Sequence, residues 1–584
     1  MVREPEGLLM FIRVLTLAVA AVSTIAPAAY AVDIWEYLND EDDARAIEGL
    51  GLTAPLPDEE ALPFLLYAVV LQRTPVANEA GRILAERRIP GAFDDLVEML
   101  DTDDRRTRKA VSTGLMGYPA DEYFDEVVEL LGDSSPKRRV FAVEYVAAYG
   151  TDEKVELLKN CLEDADEEVR LAAVVALKNE SVDVVPVALD LFGSETTQVV
   201  VDAVGAIADK TDPRAFEPLL GLLGHKYTNV VVPAADALSR YEGEEYVDRF
   251  IQLSTDEEEY LRVFAVRRLA ASGEERVIPY ITARLYDPKL QVVVAGIQGL
   301  LTLEYREAGG RLKEMLADVD YADEIRFAAM RALAGMEIEG SEPIIADILT
   351  NSSEMGLLRS NAAIALSFFK NDTAFEILYN EAATADVISP TKKPSIKALG
   401  MLGDPRALPL LMELAEEPYG EIDLYGQAVA SIGLIGGSDA YEFLYGEYRE
   451  NDLKEKRYGS VLPYALAICS DGRGPEFVVE ELTRVYETDE TIGTEKDETV
   501  DFRFSAVTGL GESGYEKATE VIAVALKDPD ERVVTAALRA AGNLFDIEML
   551  PLLKEDTRLN SGKTKFYTRR AVKAIEKRYG ITDE

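Results

Sequence analysis

The chain has 584 residues, 48% of them hydrophobic, which is ample for a continuous core and excludes a disordered polymer. Asp and Glu outnumber Lys and Arg by 107 to 61, a net charge of −46, and so negative a surface repels phosphate backbones and speaks against nucleic acid as a partner. It suits a basic partner, a cation-rich setting or a salty habitat, and solubility alone is also a sufficient reason for it.

In chain order, residues 1–31 have the layout of an export signal. Arg13 precedes an apolar run from Val14 to Ile25, followed by Pro27 and the small-x-small site Ala29-Tyr30-Ala31. Cleavage after Ala31 is expected, giving a periplasmic or secreted protein that starts at Val32. Glu4 and Glu6 are unusual ahead of an apolar run, and initiation at Met10 removes both. An uncleaved anchor is the alternative, although the run is short for a membrane span. No Cys stands at the junction to carry a lipid. No later stretch is apolar and long enough to cross a bilayer.

Residues 32–75 show no internal period and read as N-terminal capping helices, with Trp35 packed inside them. From 76 to 450 the chain repeats. EEVRLAAVVAL (167–177), EYLRVFAVRRL (259–269), DEIRFAAMRAL (323–333) and VDFRFSAVTGL (500–510) share an apolar residue, an Arg, a small residue three further on and a large apolar residue four beyond that. This is one face of an α-helix, small where a neighbouring helix comes close.

The small column runs Ala80, Val111, Ala142, Ala173, Ala203, Ala234, Ala265, Gly296, Ala329, Ala362, Ser395 and Ala428. It continues at Ala465, Ala506, Ala537 and Ala571. A large apolar column follows it from Leu84 to Ile432. The step of about 30 to 33 residues is that of helical-hairpin repeats. Second helices are predicted at AFEPLLGLL (215–223), ALPLLMELA (407–415) and FDIEMLPLLK (545–554). Asp212-Pro213 and Asp404-Pro405 read as an N-cap followed by Pro at the first helical position, and Gly403 as the end of the preceding helix. Asp528 reads as a cap with Glu531 closing a capping box.

The L-x-D-x-D-x-x-V-R-x-x-A-x-x-A-L pattern of 162–177 resembles the short bacterial HEAT-like repeat first named in phycobilisome lyases. The resemblance covers about 76 to 580. It implies an all-α solenoid of about fifteen two-helix units with helical caps, the second helices lining the concave side. The family's Asp and Arg fall on Asp166 and Arg170, with Arg108, Arg139, Arg262, Arg326, Arg359 and Arg503 in the same column. Val200, Val231, Val293, Lys392, Tyr425 and Val534 interrupt it, so any Arg–Asp ladder is broken.

Residues 451–500 form an irregular repeat, in which the step stretches to about 37 and then 41 residues. The excess lies in GEYRENDLKEKRYGS and ETDETIGTEKDETVD, which read as acidic solvated loops or, alternatively, as part of a binding face. Residues 501–584 return to the repeat and end on an amphipathic helix, YTRRAVKAIEKRYG, with a basic outer face.

The chain holds one His, His225, and two Cys, Cys161 and Cys469, both in apolar helical runs too far apart to bridge. That removes most His-dependent triads and His-rich metal sites, and no phosphate-binding or zinc motif is present. No catalytic residue and no cofactor is expected. Asp101-Thr102-Asp103-Asp104 and Asp318-Val319-Asp320 lack the ligand spacing of a calcium loop and allow at most weak calcium binding. A basic strip, Arg105, Arg106, Arg108 and Lys109 with Lys137, Arg138 and Arg139, reads as structural or as an anion-binding patch.

Tyr280, Tyr379, Tyr445, Tyr448 and Tyr486 lie on or near second helices and are the candidate partner-binding residues, because Tyr offers area and a hydrogen bond at small entropic cost. The expected function is a non-enzymatic exported scaffold that binds protein. The alternatives are an envelope protein that binds polysaccharide or peptidoglycan and, from the name of the repeat, a bilin lyase or isomerase-like enzyme.

Overall fold

The structure, a computed structural model, describes residues 34–581 apart from 72, 151–152, 417–423, 452–459, 495, 557–558 and 560–563. The expected export signal and its cleavage site lie outside the described residues. Among those residues the chain contains helices and turns and no strand: it is an all-α solenoid of helical hairpins. It divides into two compact units, up to Arg249 and from Phe250 onward. The repeat period gives no sign of that division, which falls inside the helix Glu244–Leu253.

In the first unit, the first helices of the hairpins are Thr74–Arg87, Arg105–Leu115, Pro136–Tyr149, Glu167–Leu177, Thr197–Ile207 and Thr228–Leu238. In the second they are Glu259–Ser272, Leu290–Thr302, Asp323–Gly335, Gly356–Leu366, Lys392–Leu402, Tyr425–Ile435, Leu462–Ile468, Val500–Ser513, Glu531–Leu544 and Thr564–Tyr579. A second helix follows each but the last, mostly shorter than the first but longer at Asp372–Thr384, Gly437–Glu450 and Arg473–Thr488. Some, such as Ile278–Ala283, tighten into a final 3-10 turn, here Arg284–Tyr286, which satisfies terminal carbonyls over a short distance.

Every position of the small column, from Ala80 to Ala571, is buried on a first helix, and so is every large partner from Leu84 to Ile432. Neighbouring first helices touch backbone to backbone beside this column, at Gly81 and Gly433. A Cβ on Gly433 would sit 2.6 Å from the carbonyl oxygen of Ala465, and one on Gly81 would collide with Ala110 in the next hairpin. Burying a Leu is worth about 1.5–3 kcal/mol, and that gain is available only when the next hairpin covers it.

Helix starts follow the sequence. Asp104, Asp166 and Asp212 accept backbone N–H bonds from the residues they cap. Gly403, at φ +75°, ends Lys392–Leu402 in the left-handed region. Asp528 departs from expectation. The cap of Glu531–Leu544 is Asp530, which accepts from the Arg532 N–H, while Asp528 is drawn inward by Arg503.

That pairing is the general role of the Arg column. Arg108, Arg139, Arg170 and Arg262 each donate to the carbonyl six residues back, on Thr102, Asp133, Asp164 and Asp256, at 2.8–3.0 Å. Arg139 and Arg262 also fork onto a carboxylate twenty-five residues ahead, Asp164 at 2.8 Å and Asp287 at 3.0 Å. Arg326 forks onto Glu354. One guanidinium thus ties the loop before its own helix to the loop after its hairpin. At Asp164 and Asp528 the acceptor is the first Asp of a D-x-D pair, whose second Asp, Asp166 or Asp530, caps the helix.

Arg503 is the extreme case, with its side chain 0% exposed. It donates to Asp528 at 2.7 and 3.2 Å, to both oxygens of Asp497 at 2.9 and 3.0 Å, and to the Thr499 hydroxyl. Asp497 and Thr499 belong to the stretch expected to be a solvated or binding loop. Asp489 accepts from Thr491 and Thr499, and the Gly493 N–H donates to Asp497, so this stretch folds on itself around the arginine. Most of the other insertion, 452–459, lies outside the described residues.

Residues 43–70, which carry no period, form a hairpin that behaves like the rest. Asp43–Gly51 and Asp58–Val70 both pack on Thr74–Arg87, and Trp35 lies 5.0 Å from Phe64 and 4.8 Å from Tyr67, ring to ring. Arg87 donates to Asp58 and to the Thr53 and Leu56 carbonyls, fastening this hairpin to the first repeat.

Burial raises the pKa of Asp497, but the Arg503 bonds outweigh it and hold the carboxyl down at about 2. A depressed carboxylate contributes stability above its unfolded pKa and loses it as pH falls through the folded value. Arg503→Met is therefore expected to destabilise the second unit by about 3–5 kcal/mol near pH 7, because it strands two buried carboxylates. The deficit should shrink as pH drops from about 4 to 2. Urea titrations across that range measure both effects.

Candidate functional site

The second helices carry the candidate tyrosines, and the structure treats them differently. Tyr280, on Ile278–Ala283, is exposed and makes no hydrogen bond or ring contact among the described residues. Tyr379, on Asp372–Thr384, is half-buried against Phe375 at 5.6 Å. These two stand apart on their own hairpins.

Tyr445 and Tyr448 come together. Both lie on Gly437–Glu450, and both pack edge-on against Phe477 of the following second helix, Arg473–Thr488, at 5.1 and 4.8 Å. Tyr445 stacks on Tyr441, and the Arg473 guanidinium lies 4.2 Å from the Tyr441 ring centre. The Tyr448 hydroxyl donates to Glu481 at 2.8 Å. Burial first, then that bond to Glu481, pushes the hydroxyl well above its ordinary pKa, so it stays a neutral donor. Tyr486 donates to Asp528 at 2.8 Å and joins the Arg503 cluster. The hydroxyls of Tyr448 and Tyr486 are thus engaged in joining successive hairpins, whereas Tyr280 is free to meet a partner.

The basic strip is largely neutralised in place. Arg138 pairs with Asp101 at 2.6 Å, Lys137 with Asp103, Arg106 with Asp104, and Arg139 with Asp164. The same bonds occupy the carboxylates of 101–104. Among the described residues no group of three or more His, Cys, Asp or Glu side chains is placed to hold a metal ion. Cys161 and Cys469 are free and buried, and burial raises both thiols above the ordinary value. His225 sits in a turn, accepting from the Tyr227 N–H at 3.3 Å. No helix among the described residues is long and apolar enough to cross a membrane.

One surface feature escaped the sequence reasoning. In the second unit, the turns that lead from a second helix to the next first helix expose two large apolar side chains, Val319 and Ile388, each near an Asp. Its signal was available, since an apolar residue among Asp, Ser and Gly in a connecting loop has no core to enter. The helical period drew attention to helix faces instead.

Comparison with known families matches HEAT repeats at residues 94–178, 124–204 and 492–576, and a PBS lyase HEAT-like repeat at 395–417. No curated protein matches by sequence. Among solved structures the chain is similar to Kap121p bound to Pho4p, with 13% identity and TM-score 0.54, covering 98% of this chain and 74% of that one. It is similar at 13% identity to Kap121p bound to Ste12p, with TM-score 0.53, covering 98% and 73%. A Kap121p mutant gives 13% identity and TM-score 0.54, covering 96% and 72%. At that identity the likeness is one of fold.

Tyr448→Phe is expected to lower stability by about 1–2 kcal/mol, since it removes a bond to a charged acceptor. Tyr280→Ala should leave stability within about 0.5 kcal/mol of the parent. Chemical denaturation of the two variants separates a tyrosine that joins hairpins from one that does not.

Proposed function

This chain is built of HEAT repeats, and on that premise we propose that it is a non-enzymatic exported scaffold that binds protein through its acidic surface. The observation that carries the reading is the series of stacked hairpins in each unit, in which the same small position is buried on one first helix after another. Stacked repeats provide a long, regular surface to many side chains at once, which suits recognition more than turnover. Kap121p, a protein of like fold, is described in complexes with Ste12p and with Pho4p, which supports protein as the class of partner. Export rests on the residues before Val32, and the acidity, net −46, favours a partner with exposed Lys and Arg.

Crosslinking of the tagged chain in intact cells, followed by mass spectrometry, tests the proposal. A defined protein should be recovered with crosslinks to surface lysines, and its capture in extract should weaken as salt rises from about 0.05 to 0.5 M. Recovery of no protein above an untagged control, or retention on purified cell wall alone, would overturn it in favour of the envelope-polymer alternative.

A further inference from the structure

We propose that the last helix, Thr564–Tyr579, docks on the acidic helix Ala120–Glu129 of a second copy of this chain. The inference deepens the scaffold reading by naming the chain itself as one of the Lys- and Arg-bearing proteins that its acidic surface binds.

In a chain of net charge −46, Thr564–Tyr579 carries six Lys or Arg and a single Glu. That Glu, Glu576, is paired with Lys554 of the preceding helix at 2.6 Å. Thr568, Ala571 and Ile575 are buried against the array, and the Thr568 hydroxyl donates to the Leu559 carbonyl at 2.6 Å, which fixes the helix about its axis. The opposite face is left outside. Arg569, Arg570, Lys573 and Lys577 are exposed there, and none of them is in an ion pair among the described residues. Arg214, Arg406 and Arg473 are about as accessible, yet each pairs with two carboxylates of its own chain. Phe566, 65% exposed, lies one turn before Arg569 on the same face and adds apolar area to it.

Ala120–Glu129 has the opposite chemistry. Its sequence, ADEYFDEVVE, holds five carboxylates and no cation. Val127 is buried, and Tyr123 packs on Phe93 and Tyr118 at 4.5 and 5.1 Å, ring to ring. That leaves Asp121, Glu122, Asp125, Glu126 and Glu129 on the outward side, all exposed and none in an ion pair among the described residues. Like charges one turn apart repel one another, and an opposing cationic helix relieves that repulsion.

The two faces match in spacing. Arg569, Lys573 and Lys577 stand at i, i+4 and i+8 of one helix, and Asp121, Asp125 and Glu129 stand at i, i+4 and i+8 of the other. Four residues advance a helix by about 6 Å, so three cations meet three carboxylates whichever way the helices run. Arg570 on one side and Glu122 and Glu126 on the other widen the match. Both halves belong to one chain, whereas any other partner would have to supply one of them. Because the two surfaces differ, the contact is head-to-tail, and a pair of copies keeps one free basic helix and one free acidic helix. Exposed ion pairs contribute little apiece and two helices cover less than a standard interface, so the expected Kd is about 10–100 µM at low salt.

Sedimentation velocity of the chain at up to about 0.1 mM tests the contact. The weight-average sedimentation coefficient should rise with concentration in about 0.05 M NaCl and stay at the monomer value in about 0.5 M NaCl. Arg569→Glu with Lys573→Glu reverses the basic face, and Asp121→Lys with Asp125→Lys reverses the acidic one. Each double variant alone should stay monomeric with its circular dichroism spectrum kept. An equal mixture of the two should associate again, because every reversed or untouched face then finds its opposite. Lys397→Glu with Lys527→Glu makes the same change in net charge as the first variant at exposed sites elsewhere, and should weaken association less than about twofold. A monomer at every salt concentration, association that survives either reversal, an equal loss in the control, or a mixture that stays monomeric would overturn the contact. Pelleting of a monomeric chain with phosphatidylglycerol vesicles would overturn it in favour of a lipid surface. None of these results touches the scaffold reading, which stands or falls on recovery of a crosslinked protein.

Discussion

A single hairpin of this chain has an apolar stripe and nothing of its own to cover it. The fold depends on the remedy for that constraint: the neighbouring hairpin covers the stripe, and small residues on the first helices, Gly81 and Gly433 among them, let neighbouring first helices approach to backbone contact. Gly433 against Ala465 shows how little room is left, and Ala80 to Ala571 show that the same position is buried throughout both units. Stability in such an array is a sum of nearest-neighbour terms.

Polar chemistry is arranged around the same stack. The arginine column carries charge to loop carbonyls, and at Asp164 and Asp528 the first Asp of a D-x-D pair meets it. The second Asp remains available to cap the helix. Where Lys392 interrupts the column, its amine donates to the Ala383 carbonyl instead. At Arg503 the two devices merge, since a stretch that lengthens the repeat supplies Asp497 and Thr499 to a guanidinium with no access to water. Charge that counts toward the acidic total is there internal and structural.

The architecture was legible because its cause is periodic: two coupled columns thirty-odd residues apart state both the helix face and the repeat. The capping of Asp166 and Asp212 was legible for the same reason, as a local rule acting within one turn. Contacts that reach across the period were not. Nothing within the sequence near Asp528 reveals that Arg503, twenty-five residues earlier, claims it and shifts the cap to Asp530. The helices of residues 43–70 were expected as a cap although they lack the small–large spacing, and they pack on the first repeat. Among the candidate tyrosines, helix position did not distinguish Tyr448 and Tyr486, whose hydroxyls are held by Glu481 and Asp528, from the exposed Tyr280. The exposed Val319 and Ile388 lie in connecting turns, so a search along helix faces passed over them.

The constraint can be measured on one hairpin. Residues 323–350, which form the helices Asp323–Gly335 and Glu342–Thr350 within the array, can be made as an isolated peptide and their far-ultraviolet circular dichroism recorded in water. With no neighbour to cover its apolar stripe, and with helices below the length that is stable alone, the peptide should give a coil spectrum without a melting transition. A helical spectrum that melts cooperatively would contradict the dependence of each hairpin on the next.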